Sequence, residues 1–341
     1  MKTRIPLAVA LLSTTLSLPV FAYQFEVEAE YTDSETDFDN SFSPDIDEDS
    51  TSFSATYYFS DVETNKGPLS VAAFLNRASS ISAFYSDGEA EVDRTEISFS
   101  GPAPMGGISS YGFTSGPTFF IPDYNIETEE YFVSAQYVHA ESGWLVEASY
   151  GYLEEDSDLD IDLEQDIYGI GIGKYIAENT RLMLDYVHTE TDIDVGVSSV
   201  SADSELVNLG LFHVQELGNN TYYDVSLDVA NIDPDGGDDS QVYSTSATYY
   251  FTSYVGVGVD ISYVDGDDID STSYGISGEW FITENFAIKL SYVRTEIDES
   301  ISEFVPVPYR GGDFTSSTVF EEASNNDADI DTFSIGAKLR F

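Results

Sequence analysis

The sequence predicts an all-β protein, an antiparallel β-barrel of about fourteen strands that spans a membrane. Many segments alternate apolar and polar residues with a period of two, the pattern of a strand with one apolar and one polar face. Acidic residues are concentrated between these segments. After the first 22 residues, polar residues interrupt every apolar run, so no transmembrane helix is predicted. A closed barrel is the other structure whose backbone hydrogen bonds are satisfied in lipid.

The first 22 residues are predicted to be a cleavable signal peptide, which leaves residues 23–341 as the barrel. A short basic start precedes an apolar run over residues 7–18, and Val20 and Ala22 fit a small-x-small cleavage site. The run is shorter than the ~20 apolar residues that a spanning helix needs. Export combined with a barrel predicts the outer membrane of a Gram-negative-type bacterium.

The charge balance excludes some partners. The 341 residues include 63 acidic and 12 basic ones, for a net charge of −51, and there is no cysteine. Such a negative field excludes nucleic acid as a partner held by simple attraction. The absence of cysteine excludes disulfides and thiol chemistry.

The order of strands and connections predicts short periplasmic turns and long acidic extracellular loops, with both chain termini in the periplasm. This asymmetry is typical of outer-membrane barrels. Residues 87–128 make a barrel of sixteen strands an alternative, because residues 94–100 also alternate between apolar and polar. We prefer fourteen strands and a long second loop because the segment is rich in Gly and Pro, and Pro is poorly tolerated within a strand ladder. The predicted strands lie near residues 23–31, 51–60, 69–86, 129–139, 144–153, 166–175, 181–190, 204–214, 221–231, 241–251, 255–264, 272–281, 286–297 and 330–341.

The polar faces of these strands predict the wall of a lumen. Acidic side chains predominate there, and rings of carboxylates favour cations in a pore. The basic residues lie toward the short-turn end, where they either oppose the acidic ones across a constriction or pair with them. The predicted pore-lining residues are Glu26, Glu28, Glu147, Arg181, Asp185, Asp224, Asp228, Asp260, Glu279, Lys289, Lys338 and Arg340.

Two further patterns concern the apolar residues. The hexapeptide at residues 54–59, Ser-Ala-Thr-Tyr-Tyr-Phe, recurs at residues 246–251. It predicts a Tyr/Phe girdle at the periplasmic interface, unless the repeat is a coincidence of composition. Residues 182–187 alternate less regularly, since both faces of this strand carry apolar side chains.

The sequence does not indicate an enzyme. His139 and His213 are predicted near short turns and His188 at the opposite end of its strand, and we expect solvated histidines rather than a catalytic constellation. Alternating aspartates such as Asp156 and Asp158 favour weak, nonspecific binding of divalent cations over a dedicated metal site. No cofactor is expected.

The last strand strengthens this reading. Residues 333–341 alternate without exception and end on Phe341. Together with the leader and the Tyr/Phe strand ends, this strand resembles those of Gram-negative outer-membrane porins. Residues 66–80 are similar to a segment in uncharacterised porins of marine gammaproteobacteria. The resemblance implies contact with outer-membrane lipid and lipopolysaccharide, and recognition of the C-terminal strand by the outer-membrane insertion machinery. The third-loop constriction motif that is usual in trimeric porins is not recognisable. The sequence therefore does not decide whether the protein forms a homo-oligomer.

We therefore expect a passive diffusion channel for small hydrophilic solutes with a preference for cations. The alternative is a non-conducting structural or adhesive barrel whose acidic loops bind divalent cations or a surface partner. Residues 87–128 would discriminate between them, because an infolded segment supports a gated pore and an outward one supports recognition. The sequence predicts neither the solute nor the pore radius.

Overall fold

The computed structural model describes residues 22–38, 45–92, 95–101, 114–121, 124–158, 161–195, 198–234, 239–266, 270–298 and 328–341, with backbone only for 95–101 and 114–121. The predicted signal peptide lies outside the described residues except for Ala22. One helix, α1 (Ala72–Leu75), accompanies the strands. The strands are β1 (Ala22–Phe38), β2 (Ile46–Glu63), β3 (Ser80–Val92), β4 (Thr95–Gly101), β5 (Thr114–Ile121), β6 (Tyr124–Val138), β7 (Trp144–Ser157), β8 (Ile161–Ala177), β9 (Thr180–Val195), β10 (Ser198–Gly218), β11 (Thr221–Pro234), β12 (Ser240–Thr252), β13 (Val255–Gly266), β14 (Asp270–Thr283), β15 (Phe286–Asp298) and β16 (Ala328–Arg340).

Fourteen of these strands form one closed antiparallel barrel, which confirms the predicted fold. Each barrel strand pairs with its neighbours in the chain, except that β3 pairs with β6. The first and last strands close the barrel, in a register that runs from Glu26 opposite Arg340 to Phe38 opposite Ala328. The two additional strands, β4 and β5, pair with each other as a separate sheet and do not enlarge the barrel.

Most strands are longer than the sequence pattern predicted, and the extra residues lie mainly at the long-loop end. Asp33, Glu35 and Asp37 belong to β1 rather than to a loop, and Asp47 and Asp49 belong to β2. Barrel strands need about 9–11 residues to cross a membrane, so strands of 17 and 18 residues continue beyond the lipid. Backbone pairing continues there even though charged side chains have replaced the apolar face.

The outward faces carry an apolar band bordered by aromatic residues, as predicted for a lipid-facing surface. Val257, Val259 and Ile261, for example, are exposed on one face of β13. No helix in the described part of the chain is long and apolar enough to cross a membrane. Exposed aromatics toward the long-loop end are Tyr31, Phe53, Tyr131, Tyr150, Tyr168, Tyr243, Tyr263, Tyr274, Tyr292 and Phe333, and those toward the short-turn end are Phe25, Tyr57, Phe59, Tyr137, Trp144, Tyr249, Phe251, Tyr254, Trp280 and Phe341.

A charge placed in this apolar band is expected to destabilise the barrel. Val259→Arg should lower the free energy of unfolding by about 2–4 kcal/mol, because the side chain lies in the middle of the lipid-facing surface. Ser262→Arg on the same strand is the control, since Ser262 lines an internal cavity and an arginine there reaches polar groups. Urea unfolding from phospholipid vesicles measures both. Equal losses would contradict the assignment of the two faces.

One predicted strand is wrong in its first half. Residues 69–86 were predicted to form a single strand, but β3 begins only at Ser80. The connection from β2 to β3, residues 64–79, contains α1 and folds into the barrel; we call this segment the plug. Its apolar residues are buried against inward-facing barrel residues rather than exposed to lipid, and the next section describes these contacts.

Candidate functional site

The plug crosses the lumen near the short-turn end. Its Leu69 N–H donates a hydrogen bond of 2.9 Å to the carbonyl of Ser253, in the turn between β12 and β13. The hydroxyl of Ser70 donates to the hydroxyl of Tyr250 on β12 at 3.0 Å. Going round the barrel, β12 lies six strands from β2 in one direction and eight in the other. The plug therefore reaches from its own hairpin to the opposite wall.

Leu69 is the first anchor of the plug. It is 1% exposed and packs against Phe281 and Ala287 on the inner wall. Nη1 of Arg340 donates a hydrogen bond of 2.9 Å to the Leu69 carbonyl. The same guanidinium lies 4.6 Å from the ring centroids of Tyr23 and Phe281, a cation–π distance. The last residue of β16 thus holds the plug backbone in place.

Phe74 is the second anchor, on the opposite side of the lumen from Leu69. Its ring centroid lies 5.2 Å from that of Tyr175 and 4.6 Å from that of Phe212. It also packs against the cluster that contains Leu145 and Met183. This contact explains the two-sided apolar pattern at residues 182–187, because Met183 faces the plug and its outward neighbours Leu182 and Leu184 are exposed.

The repeated hexapeptide serves two surfaces rather than one. Tyr57 and Phe59 are exposed on the outside, as are the equivalent aromatics of the second copy. The middle tyrosines point inward and are buried, Tyr58 beside the plug residues Ala72 and Ala78, and Tyr250 under Ser70. The predicted girdle therefore consists of alternate residues, and the inward tyrosines hold the plug.

Six of the predicted pore-lining residues form one network of paired charges beside the plug. Nε of Arg340 donates to Glu26 at 2.5 Å, and Nζ of Lys338 lies 3.2 Å from Glu279 and 3.3 Å from Glu28. Lys289 lies 2.6 Å from Glu28. These charges are largely buried and close together, so they pair with one another. Pairing was one of the two arrangements that the sequence allowed. In this part of the structure, acidic and basic side chains do not face each other across an open lumen.

Two more predicted residues also lie at the plug. Asp224 is 4% exposed and accepts a hydrogen bond from Tyr250, the tyrosine that contacts Ser70. Arg181 lies over the Phe74 ring, 5.6 Å from its centroid. Both residues therefore support the plug from the barrel wall.

The remaining acidic residues lie in the middle of the barrel. Glu147, Asp185 and Asp228 line a cavity of about 150 Å³. Asp260 lies on β13, two residues before Ser262, which also lines the cavity. Other polar residues of its wall are Ser149, Asn208, Ser226, Ser244 and Ser262. The wall of this cavity is therefore mixed, because acidic and hydroxyl groups stand beside apolar side chains such as Phe132, Ile167 and Val242.

A glycine allows one of these carboxylates to lie flat against the wall. A Cβ atom at Gly171 would stand 2.3 Å from Oδ1 of Asp185 and 2.5 Å from Cε of Met183. No real Cβ atom approaches other atoms so closely, so a larger residue at position 171 would push Asp185 and Met183 toward the lumen. Gly171 therefore sets the position of an acidic group in the cavity and of a residue packed on the plug.

The three histidines make local contacts. His139 lies 2.9 Å from the Ser142 hydroxyl in a turn, and His213 lies 2.8 Å from the Thr180 hydroxyl. His188 lies 3.4 Å from Glu190. In the described residues no carboxylate pairs with His139 or His213, so neither pair has the orienting acid of a nucleophile–base–acid triad.

Sequence reasoning predicted an acidic lumen but missed the plug. The available signal was a set of apolar residues on inner strand faces near the short turns, although buried apolar residues such as Leu153 and Leu206 also lie on inner faces toward the other end. Leu145, Met183, Phe281 and Ala287 belong to this set and are buried. The short-turn set packs on Leu69 and Phe74 of the plug, so these residues are apolar because they meet the plug.

The comparisons agree with this architecture. The model of the family described as "Putative general bacterial porin" matches residues 6–305. The outer membrane protein Omp33 of Acinetobacter baumannii is similar in structure, with a TM-score of 0.53 and 18% identity over 94% of this chain and 99% of that one. The toluene transporter TodX of Pseudomonas putida matches with a TM-score of 0.44 and 10% identity over 98% and 93%. Among curated proteins, no sequence matches the chain. At 18% identity, the match to Omp33 shows the fold alone.

Proposed function

Since the chain belongs to the family of general bacterial porins of the outer membrane, we propose that it is a diffusion channel for small hydrophilic solutes with a preference for cations. The cavity lined by Glu147, Asp185 and Asp228 is the observation that carries this proposal. Carboxylates inside a low-dielectric wall raise the local concentration of cations and lower that of anions. We expect no enzymatic activity.

The plug makes this channel predominantly closed. Burying an apolar side chain stabilises the closed form by roughly 1.5–3 kcal/mol, so Leu69 and the partly buried Phe74 together contribute about 3–5 kcal/mol. A difference of that size leaves the plug displaced in roughly one molecule in 10² to 10⁴. Conduction in this proposal therefore consists of rare openings in which the plug leaves the wall.

Neutralising the cavity carboxylates is expected to reduce cation preference. A triple variant, Glu147→Gln, Asp185→Asn and Asp228→Asn, should move the reversal potential under a KCl gradient toward zero, because the fixed charges that attract K⁺ are removed. Single-channel recording in planar bilayers measures this shift.

The control for the triple variant removes the same number of charges from the outside of β1. Asp33→Asn, Glu35→Gln and Asp37→Asn change exposed residues of that strand and should leave the reversal potential close to that of the unchanged protein. An equal shift in both triples would mean that the surface field, and not the cavity, sets the selectivity.

A non-conducting structural barrel is the second candidate, and the plug is the observation that favours it. A plug anchored on opposite walls can close the lumen permanently, and not only between openings. In that case the exposed carboxylates beyond the lipid would be the functional surface, binding divalent cations or a surface partner. A barrel that carries no current after its plug is removed would support this candidate.

Export and assembly follow from the same proposal. Residues 1–22 would be removed as a signal peptide, and the last strand would be read by the outer-membrane insertion machinery. Phe333 and Ile335 on the outer face of β16, and Phe341 directly after it, support the latter because they are exposed. The same outer face would contact lipid and lipopolysaccharide, while small solutes and cations would be the partners inside.

A further inference from the structure

A second acidic cluster lies at the long-loop end, on the inner faces of β6, β7 and β8. Glu130, Glu155 and Gln165 are 7%, 1% and 1% exposed, whereas their sequence neighbours Glu129 and Glu164 are exposed on the outside. The strand register places these groups side by side. Leu153 stands opposite both Glu130 and Gln165, and Glu155 is two residues further along the same strand.

A third acidic group belongs to β2, further round the barrel wall. Glu48 on β2 interacts electrostatically with Glu155, although two strands separate β2 from β7. Apolar residues are interleaved with the carboxylates, since Leu163 stands opposite Glu155 and is itself buried, as is Leu153. The cluster therefore alternates negative and apolar patches on one inner wall.

The cluster contains polar atoms that lack a partner. Among the described residues, nothing forms a hydrogen bond with Oε1 or Nε2 of Gln165 or with Oε2 of Glu130, and these atoms are inaccessible to solvent. Buried polar groups are nearly always hydrogen-bonded in proteins, because an unmet group forfeits its interactions with water. An amide and a carboxylate left in this state inside a lumen indicate a missing ligand.

We propose that this cluster binds a linear organic dication, an alkane with an ammonium group at each end, as a solute of the channel. Ammonium groups supply the N–H donors that the Glu130 carboxylate and the Gln165 carbonyl lack, whereas Nε2 of Gln165 is itself a donor and gains no partner from the dication. The alkyl chain matches the buried Leu153 and Leu163 between the polar groups. The inference rests on the proposed diffusion function and names one substrate class for it.

The spacing favours such a ligand over a metal ion. Glu130 and Glu155 occupy diagonal positions on neighbouring strands, and so do Glu155 and Gln165. The Cα atoms of two residues in diagonal positions are about 7–8 Å apart. A calcium ion requires oxygens about 2.3–2.6 Å from one point. Within the described residues, no three acidic, histidine or cysteine side chains could hold a metal ion together. A ligand with two separated charges spans this arrangement better than a single ion does.

Isothermal titration calorimetry of the refolded full-length barrel with 1,4-diaminobutane tests the inference. We expect one saturable site, with butylamine at least about tenfold weaker because it carries a single ammonium group. Glu130→Gln and Gln165→Leu should each weaken diamine binding by about tenfold or more. Glu127→Gln is the matched control, because Glu127 lies on the same strand but is exposed on the outside. Circular dichroism confirms that each variant has folded.

Three results would overturn the inference: no saturable binding, equal weakening by Glu127→Gln, or calcium binding more tightly than the diamine at the same residues. The measurement does not depend on conduction. A barrel that conducts cations but does not bind the diamine refutes only the substrate class. A barrel that binds the diamine but never conducts refutes the channel proposal and leaves the binding site.

Discussion

Replacing residues 66–77 by a Gly/Ser segment of equal length is expected to convert rare openings into a continuously open channel. The replacement keeps the connection between β2 and β3 but removes both anchors, Leu69 and Phe74, and a Gly/Ser segment has no apolar side chains with which to bind the wall. If the anchors contribute about 3–5 kcal/mol, the time-averaged current per barrel should rise on the order of 10²–10⁴-fold. Planar-bilayer recording at matched protein amounts measures this rise.

Point variants of the plug separate the anchors from the rest of the segment. Leu69→Ser combined with Phe74→Ser should reproduce most of the increase, since these side chains contact opposite walls. Lys66→Ser is the matched control, because the Lys66 side chain is 44% exposed and its partners among the described residues, Glu63 and Asn76, belong to its own hairpin. A barrel that stays silent after the Gly/Ser replacement would show that the plug is not what closes it, and would favour the non-conducting alternative.

The sequence predicted the barrel well because lipid imposes a local rule. An outward side chain such as Val259 or Ile261 must be apolar whatever the rest of the chain does, so alternation alone reveals the strand and its lipid face. The same rule misled at residues 69–79. Leu69, Phe74 and the alanines between them are apolar because they meet the inner wall, and a one-dimensional pattern does not distinguish that wall from lipid.

The charged residues show a second limit of sequence reasoning. The predicted lumen-lining residues include Glu26, Glu28, Lys338 and Arg340. The sequence was compatible with two arrangements of these charges, an electric field across the lumen or mutual pairing. Pairing is what the structure contains, because β1 and β16 are neighbours and Glu26 stands opposite Arg340. The two residues are 314 positions apart in the chain, so only the closure of the barrel brings them together. Local alternation identifies which face a charge occupies but not its partner.

Arg340→Met is expected to have the largest effect on stability of any single substitution in this network. Arg340 is almost fully buried, donates to both Glu26 and the Leu69 carbonyl, and stacks on Tyr23 and Phe281. Removing one member of a buried pair costs about 3–5 kcal/mol because the remaining charge loses its compensation. Urea unfolding of barrels refolded into vesicles should show this loss, and bilayer recording should show more frequent openings.

Arg294 provides the control for Arg340, because it is also an ion-paired arginine but lies in a different environment. Its guanidinium lies 2.5 Å from Asp329 and 3.2 Å from Asp331, with a side chain that is 31% exposed at the outer rim. Arg294→Met should cost no more than about 1 kcal/mol, since water screens such pairs, and should leave openings unchanged. Equal losses from the two substitutions would contradict a special role of Arg340.

A double variant, Arg340→Met with Glu26→Met, separates the uncompensated charge from the hold on the plug. Replacing both partners by apolar groups removes the buried carboxylate that has lost Arg340 and retains Lys338 at 4.0 Å, so part of the lost stability should return. The hydrogen bond to the Leu69 carbonyl stays absent, so frequent openings should persist if Arg340 holds the plug. Openings that fall back to the original frequency would instead mean that Leu69 and Phe74 hold the plug through apolar contacts alone.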